Sequence, residues 1–122
     1  MVEIYVDADA CPVKDEVLRV AARHGLKTRM VSDGGIRPSR DPMVETVIVT
    51  QGADAADDWI AEHIAARDIC VTNDIPLAAR CLEKGATAVK PTGDEFTPDG
   101  IGMALANREL MQTLRETGEI TG

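Results

Sequence analysis

Residues 3–25 read EIYVDADACPVKDEVLRVAARHG, and this stretch decides the fold. Its first five residues are mainly apolar and end in Asp7, which predicts a short buried strand. Pro12 then stands where a helix can begin, and the apolar residues behind it recur with helical spacing. Gly25 is the residue type that usually closes a helix. The stretch therefore predicts a strand followed by a helix, with an aspartate at the end of the strand.

The same alternation of strand and helix continues along the chain. Further strands are predicted at residues 27–32, 44–50, 69–72 and 86–90, and further helices at residues 54–67, 74–85 and 100–116. This order is typical of βαβ units. We therefore expect one α/β domain over residues 1–122, built as a three-layer α/β/α sandwich around a mostly parallel five-stranded sheet with the first strand in its centre. In such sheets ligands bind beyond the carboxyl ends of the strands, where the strand order reverses.

The composition fits a small protein with one core. The chain has 122 residues, of which 44% are hydrophobic, and a net charge of −8 at pH 7. An acidic surface argues against broad nucleic-acid binding driven by phosphate neutralisation. No apolar run is long enough to span a bilayer, and the start does not resemble a signal peptide. The three cysteines form no CxxC pair, so we expect a cytoplasmic protein with reduced thiols and no membrane contact.

Aspartates follow three of the predicted strands. They are Asp7 and Asp9 after the first strand, Asp54, Asp57 and Asp58 after the third, and Asp74 after the fourth. The fold would bring several of them to one edge of the sheet, where carboxylates repel one another unless a cation or a shared proton neutralises them. Oxygen-only ligands suit Mg²⁺ or Mn²⁺. The pattern therefore predicts a divalent-metal site at this edge.

Some of these aspartates also have a simpler explanation. Asp54 and Asp74 stand where helix N-caps are expected, and aspartate is favoured at that position. Asp57 borders the core-facing side of its helix and is expected to point towards the edge of the sheet, whereas Asp58 is expected to face solvent. The end of a strand needs no acid, so Asp7 is the residue that most clearly indicates a function.

Four blocks of the sequence resemble one family. They are IYVDADACPVKDEV (residues 4–17), QGADAADDWIAEHI (51–64), VTNDIPLAARCLEKGA (71–86) and FTPDGIGMALANREL (96–110). In this order, and over nearly the whole chain, they are similar to the bacterial YaiI/YqxD family of uncharacterised proteins. Members of that family usually continue into a Pro-rich, basic tail, so the resemblance implies that such a tail is missing here.

The resemblance carries an expected fold and activity. The family is generally grouped with PIN-like domains, which are metal-dependent ribonucleases. These domains place one acid after the first strand, further acids on a middle helix, and another acid in a T-x-D pattern after the fourth strand. Asp7 stands at the first of these places and Asp74 at the last. Asp57 or Asp58 stands at the middle one, where PIN domains typically carry Glu.

The first hypothesis is therefore a nuclease that uses Mg²⁺ or Mn²⁺ to hydrolyse RNA or another phosphate-containing substrate. Asp7, Asp57 and Asp74 would be its catalytic residues and would hold the metal. Asp9 or Asp58 would lie in the outer shell of the metal. The ion would activate a water for attack on phosphorus.

Four polar residues are candidates for binding this substrate. Arg37 and Arg40 lie on a turn-rich loop, where they would grip backbone phosphates or simply be solvated. Ser32 and Asn73 follow strands, where their side chains would hydrogen-bond the substrate or cap turns.

Two other kinds of function fit the same residues. In a phosphatase of the haloacid-dehalogenase type, Asp7 would be the nucleophile and Asp9 the general acid and base. Ser32 then fits the expected hydroxyl, but Cys11 stands where Thr or Val is usual. The other alternative is a PIN-like fold that binds nucleic acid or protein without catalysis, which the scarcity of stacking aromatics makes weaker for nucleic acid.

Overall fold

The structure of the protein is a computed structural model that describes residues 2–34, 36–50, 52 and 54–117. Within these residues the strands and helices follow the order that the sequence predicts, with a loop and no described helix between Lys27–Ser32 and Val44–Ile48. The two ends of the expected domain, Met1 and residues 118–122, lie outside the described residues.

Five strands of the described chain form one sheet. The strands are β1 (Glu3–Asp7), β2 (Lys27–Ser32), β3 (Val44–Ile48), β4 (Ile69–Val71) and β5 (Thr87–Val89), and the helices are α1 (Lys14–His24), α2 (Ala55–His63), α3 (Ile75–Glu83) and α4 (Pro98–Thr117). A short 3-10 helix, Ala8–Ala10, follows β1. The strand order is β3-β2-β1-β4-β5, and all neighbouring strands are parallel. β1 therefore lies in the centre, and the strand order reverses between β1 and β4.

Successive strand residues point to opposite faces of the sheet, which produces two hydrophobic cores. The strand residues that pack with α2 and α3 are Tyr5, Val31 and Cys70. The strand residues that pack with α1 are Ile4, Val6, Met30 and Val71. Helices thus cover both faces, and the predicted open three-layer α/β sandwich is confirmed.

The last helix, α4, packs beside α3. Phe96 lies just before it and forms a small third core with Ala78 of α3 and Ala88 of β5. Among the described residues, every helix is too short or too polar to span a bilayer.

α2 ends at His63, earlier than the predicted end near Arg67. Arg67 has a positive φ of 76°, which a helix does not accommodate. The buried side chain of Asp68 explains the early end. Its Oδ2 accepts a hydrogen bond from the backbone N–H of Ala65 at 2.9 Å, and its Oδ1 accepts one from the backbone N–H of Glu3 at 3.0 Å. These bonds tie the chain after α2 to the start of β1, so the helix cannot continue.

The buried hydroxyl of Thr28 leads to a first prediction. Thr28 lies in β2 and is 0% exposed, and its Oγ1 has no hydrogen-bond partner among the described residues. A buried polar group without a partner costs about 1–3 kcal/mol. Val has nearly the same shape and favours strands. We expect Thr28→Val to raise the free energy of unfolding by about 1 kcal/mol, as measured by urea denaturation.

Thr72 provides the matched control for this prediction. It is also a fully buried threonine, 0% exposed, but its Oγ1 donates to Asp7 and accepts from the backbone N–H of Asp74. Thr72→Val should therefore lower the free energy of unfolding, by about 1 kcal/mol or more. If both substitutions changed the free energy of unfolding in the same direction, the hydroxyl of Thr28 would not be the cause of the change in Thr28→Val.

Candidate functional site

An acidic cavity opens at the carboxyl edge of the sheet, where the strand order reverses. Its volume is about 490 Å³, and its lining residues are Asp7, Asp9, Asp33, Gly52, Ala56, Asp57 and Asp74. They come from the ends of β1 and β2, from the start of α2 and from the residue before α3. Parallel strands that end at one edge bring these elements together. The described lining contains no Lys or Arg, so the cavity concentrates negative charge.

Asp7 and Asp74 are joined through Thr72. The Thr72 Oγ1 donates a hydrogen bond to Asp7 Oδ2 at 3.0 Å and accepts one from the backbone N–H of Asp74 at 2.9 Å. Thr72 is 0% exposed and Asp7 is 6% exposed, so this link is shielded from solvent. Asp74 also caps α3, because its Oδ1 accepts a hydrogen bond from the backbone N–H of Leu77 at 2.8 Å. Asp74 therefore serves as a helix cap and lines the cavity as well.

Burial and the neighbouring acids raise two pKa values in the cavity. Burial, followed by the charges of Asp74 and Asp7, raises the pKa of Asp57 to about 7. A hydrogen bond between the carboxyl groups of Asp57 and Asp74 adds to this rise, because a protonated Asp57 can donate to Asp74. Burial also raises the pKa of Asp7, opposed by the Thr72 hydrogen bond and helped by the charges of Asp74 and Asp9. The raised pKa of Asp57 means that its carboxyl group can hold a proton near neutral pH, which offsets part of the charge.

The protein holds Asp9 by both of its carboxylate oxygens. Ser32 Oγ donates a hydrogen bond to Oδ1 at 2.7 Å, and the backbone N–H of Asp33 donates one to Oδ2 at 2.9 Å. Burial opposes the ionisation of Asp9, but these hydrogen bonds and the nearby Lys14 ammonium lower its pKa overall. Asp9 is thus a fixed negative charge beside the cavity, and Ser32, a candidate for substrate binding, orients it.

The other two acids near the start of α2 lie outside the lining of the acidic cavity. Asp58 is exposed, and its Oδ1 accepts a hydrogen bond from Arg80 Nη1 at 2.8 Å. Asp54 is the N-cap residue of α2, but its side chain makes no capping hydrogen bond within the described residues. Of these three neighbours, the structure therefore brings Asp57 to the cavity and leaves Asp54 and Asp58 aside.

The remaining substrate-binding candidates lie in different places. Arg37 lines a neighbouring pocket of about 330 Å³, named here the Lys14–Arg37 pocket. Its rim carries Lys14, Arg37 and Ser39, and its floor carries Met30, Ile36 and Val44. Arg40 is exposed and lines neither this pocket nor the acidic cavity. Asn73 lines a further cavity of about 350 Å³ on the side towards β5, which also contains Lys90 and Phe96.

Three residues of this region were not singled out by the sequence pattern. Asp33 directly follows β2, at the same edge of the sheet as Asp7, the last residue of β1, and that position is the signal that could have found it. Thr72 stands in the T-x-D pattern, but its link between two acids depends on the direction of a buried hydroxyl. The spacing of residues in the sequence did not indicate a role for Lys14. The reason is that its Nζ contacts backbone carbonyls, the carbonyl of Ala8 at 3.1 Å and the carbonyl of Cys11 at 3.0 Å.

The acids surround the cavity from several sides. Among the described residues, no group of three or more Asp, Glu, His or Cys side chains stands close enough together to hold one ion. The described residues could therefore offer at most one or two carboxylates to one ion. Mg²⁺ usually keeps several waters and is bound through one or two carboxylates together with substrate phosphates.

The fold and the cavity define an open α/β sandwich with an acidic site at the carboxyl edge of its sheet. The chain belongs to the YaiI/YqxD family, whose model, described as "Uncharacterized BCR, YaiI/YqxD family", matches residues 5–122. A UPF0178 protein of Agrobacterium fabrum is 62% identical over 98% of this chain and 78% of its own length. A UPF0178 protein of Parvibaculum lavamentivorans is 61% identical over 100% of this chain and 80% of its own length. No solved structure matches the chain.

Proposed function

We propose that the protein is a phosphodiesterase that depends on Mg²⁺ or Mn²⁺ and acts on RNA. The observation that carries the proposal is the acidic cavity, whose described lining contains five aspartates and no basic residue. Carboxylates at such density destabilise a folded protein unless a cation or a proton offsets their charge. The pKa of Asp57, raised to about 7, reflects this need, because burial and acidic neighbours cause the rise.

Asp7 and Asp74 are the proposed first ligands of the cation. The hydroxyl of Thr72 supports both, since it donates to the carboxylate of Asp7 and accepts from the backbone of Asp74. Asp57 lines the same cavity and would act on the cation through a water molecule once it has lost its proton, so cation binding and proton release from Asp57 would be linked. A bound cation would polarise a phosphoryl oxygen and lower the pKa of a water molecule.

Asp9 has a different part in the proposal. Its two oxygens already accept hydrogen bonds from Ser32 and Asp33, so it would act from the outer shell, by accepting hydrogen bonds from water. Outer-shell groups of this kind orient metal ligands and tune the metal. Asp58, the other candidate for that place, is held outside the cavity by Arg80 and has no role in the proposal.

The phosphatase alternative would use the same edge differently. It needs the hydroxyl of Ser32 for a phosphoryl group, whereas Ser32 Oγ donates to Asp9 at 2.7 Å. It also needs a cationic side chain beside the nucleophile, and the described lining of the acidic cavity contains none. The contact of Ser32 and the composition of the described lining favour the phosphodiesterase.

Replacing Asp74 with Asn tests the metal site. Asn is as good an N-cap as Asp, so α3 should keep its capping bond to Leu77 while the cavity loses one charge. We expect Asp74→Asn to weaken Mn²⁺ binding at least about tenfold in calorimetric titration, the lower limit for residues that support a metal centre. Asp94→Asn is the control. It removes the same charge from an exposed turn outside the cavity and should leave Mn²⁺ binding unchanged.

The reaction class is tested with three substrates assayed in Mn²⁺ and in EDTA. We expect Mn²⁺-dependent hydrolysis of bis(4-nitrophenyl) phosphate and of a single-stranded RNA oligonucleotide, but not of 4-nitrophenyl phosphate. Hydrolysis of the monoester alone would favour the phosphatase. Failure of the wild-type protein to bind Mn²⁺ would overturn the proposal and favour a binding module without catalysis.

A further inference from the structure

We propose that the Lys14–Arg37 pocket binds one nucleotide of the substrate, beside the phosphate that is cleaved in the acidic cavity. The inference rests on the proposed phosphodiesterase function and adds the place where the neighbouring nucleotide lies. A nucleotide combines an anionic phosphate with a flat, largely apolar ring. The pocket combines a cationic rim with an apolar floor.

The pocket lies near the acidic cavity, because two of its lining residues are connected to the segments that line the cavity. Lys14 on its rim donates a hydrogen bond to the backbone oxygen of Ala8, which lies between Asp7 and Asp9. On the other side, Ile36 of the floor follows closely after Asp33, which lines the acidic cavity. A chain of nucleotides that crosses the acidic cavity in this direction therefore reaches the pocket next.

Lys14 is held in place before any ligand arrives. Its Nζ donates to the backbone oxygens of Ala8 at 3.1 Å and Cys11 at 3.0 Å. An ammonium group has three donors, so one donor remains for a ligand after these two contacts within the described chain. Because the protein fixes the ammonium, a phosphate that binds it does not have to order a flexible side chain.

The rim is positive, although the whole chain has a net charge of −8. Arg37 and Lys14 supply two cations, against which stand Asp15, the one carboxylate among the described lining residues, and Asp9, which lies near the Lys14 ammonium from the side of the acidic cavity. Arg37 and Ser39 are exposed, so both are accessible to a ligand in solvent. Guanidinium and ammonium groups with a hydroxyl beside them are the donors that bind phosphate oxygens. The rim therefore favours an anion, in contrast to the neighbouring acidic cavity.

The floor supplies the apolar half of the site. Met30 is 4% exposed, and Ile36 and Val44 are half-buried. The volume of about 330 Å³ falls in the range of about 300–1,000 Å³ that is usual for small-molecule sites. An inorganic phosphate would leave this floor uncovered, whereas the base of a nucleotide would cover it.

The test is a titration of the metal-free protein in EDTA with adenosine 5′-monophosphate, followed by backbone NMR. We expect saturable shifts at Lys14, Arg37 and Ser39. Arg37→Ala should weaken binding about tenfold, as the loss of a charge-assisted hydrogen bond does. Arg40→Ala is the matched control from the same loop and should change the affinity less than about twofold. Arg37 is preferred to Lys14 for this test because Lys14 also holds the turn at Ala8.

Adenosine and inorganic phosphate complete the titration. Each should bind at least about tenfold more weakly than the nucleotide if the rim and the floor act together. Equal effects of Arg37→Ala and Arg40→Ala, or no saturable binding at all, would overturn the inference.

Asp7→Asn separates the inference from the proposed function. Nucleotide binding in EDTA should survive this substitution, because the pocket does not use the acidic cavity. If the wild-type protein bound the nucleotide but showed no Mn²⁺-dependent diester hydrolysis, the proposed function would be wrong, and the pocket would still be a nucleotide-binding site. If the protein hydrolysed the diester but did not bind the nucleotide in the pocket, the inference would be wrong and the proposed function would stand.

Discussion

Replacing Asp7 with Asn is expected to lower the rate of Mn²⁺-dependent hydrolysis of bis(4-nitrophenyl) phosphate by at least about 100-fold. Losing one group that stabilises charge in a transition state has an effect of this size. Asp7 is the most buried acid of the cavity, 6% exposed, so solvent cannot replace its charge. An Asn oxygen can still accept the hydrogen bond that Thr72 Oγ1 donates, and the local structure should survive.

The same substitution should stabilise the metal-free protein at neutral and higher pH. Burial and the charges of Asp74 and Asp9 raise the pKa of Asp7, so the folded state favours its neutral form. An uncharged amide removes that conflict. We therefore expect Asp7→Asn to change the two measured quantities in opposite directions. The steady-state rate should fall, and the free energy of unfolding, measured by urea denaturation in EDTA, should rise.

Asp58→Asn is the control for Asp7→Asn. It also removes one negative charge near the start of α2, but this charge is exposed and paired with Arg80 at 2.8 Å. The hydrolysis rate of Asp58→Asn should stay within about twofold of the wild-type rate, since an exposed ion pair contributes little to the stability of a protein. If Asp7→Asn kept more than about a tenth of the activity, Asp7 would not be a metal ligand of the reaction.

The strand–helix order of the fold could be predicted because burial leaves a periodic signal in the sequence. The bounds predicted for β1 and β2 match the structure, and Gly25 closes α1 with the expected positive φ, 65°. The end of α2 could not be predicted in this way. It depends on Asp68, whose carboxylate contacts the backbone of Glu3, near the start of the chain. A contact over 65 residues leaves no local signal.

The candidate site could be predicted to the level of elements, but not of side chains. Residues after parallel strands share an edge, which placed Asp7, Asp9 and Asp74 together without knowledge of contacts. The choice between Asp57 and Asp58 depends on the rotation of α2: the helical spacing favoured Asp57, whereas the family resemblance alone left both residues possible. Metal binding and the PIN-like grouping stay predictions, since neither the fold nor the family decides them.

The pH dependence of stability should depend on Asp57. Its pKa is about 7 in the folded protein, against an ordinary value of 3.8, so the folded state binds more protons than the unfolded state between these limits. The stability of the metal-free protein should therefore fall as the pH rises from about 4 to about 7, and then level off. Asp57→Asn removes this titration, so its profile should be flatter and its stability at about pH 7.5 higher than that of the wild type.

A bound cation should change this profile in the opposite direction. The cation needs the ionised form of Asp57, so its stabilising effect should grow over the same pH range in which the metal-free protein weakens. Thermal unfolding in EDTA and in saturating Mn²⁺, at about pH 5.5 and about pH 7.5, measures both effects. The gain in Tm from Mn²⁺ should be clearly larger at the higher pH for the wild type, and small at both for Asp57→Asn. Parallel profiles for the two proteins would mean that Asp57 neither titrates near neutral pH nor interacts with the cation.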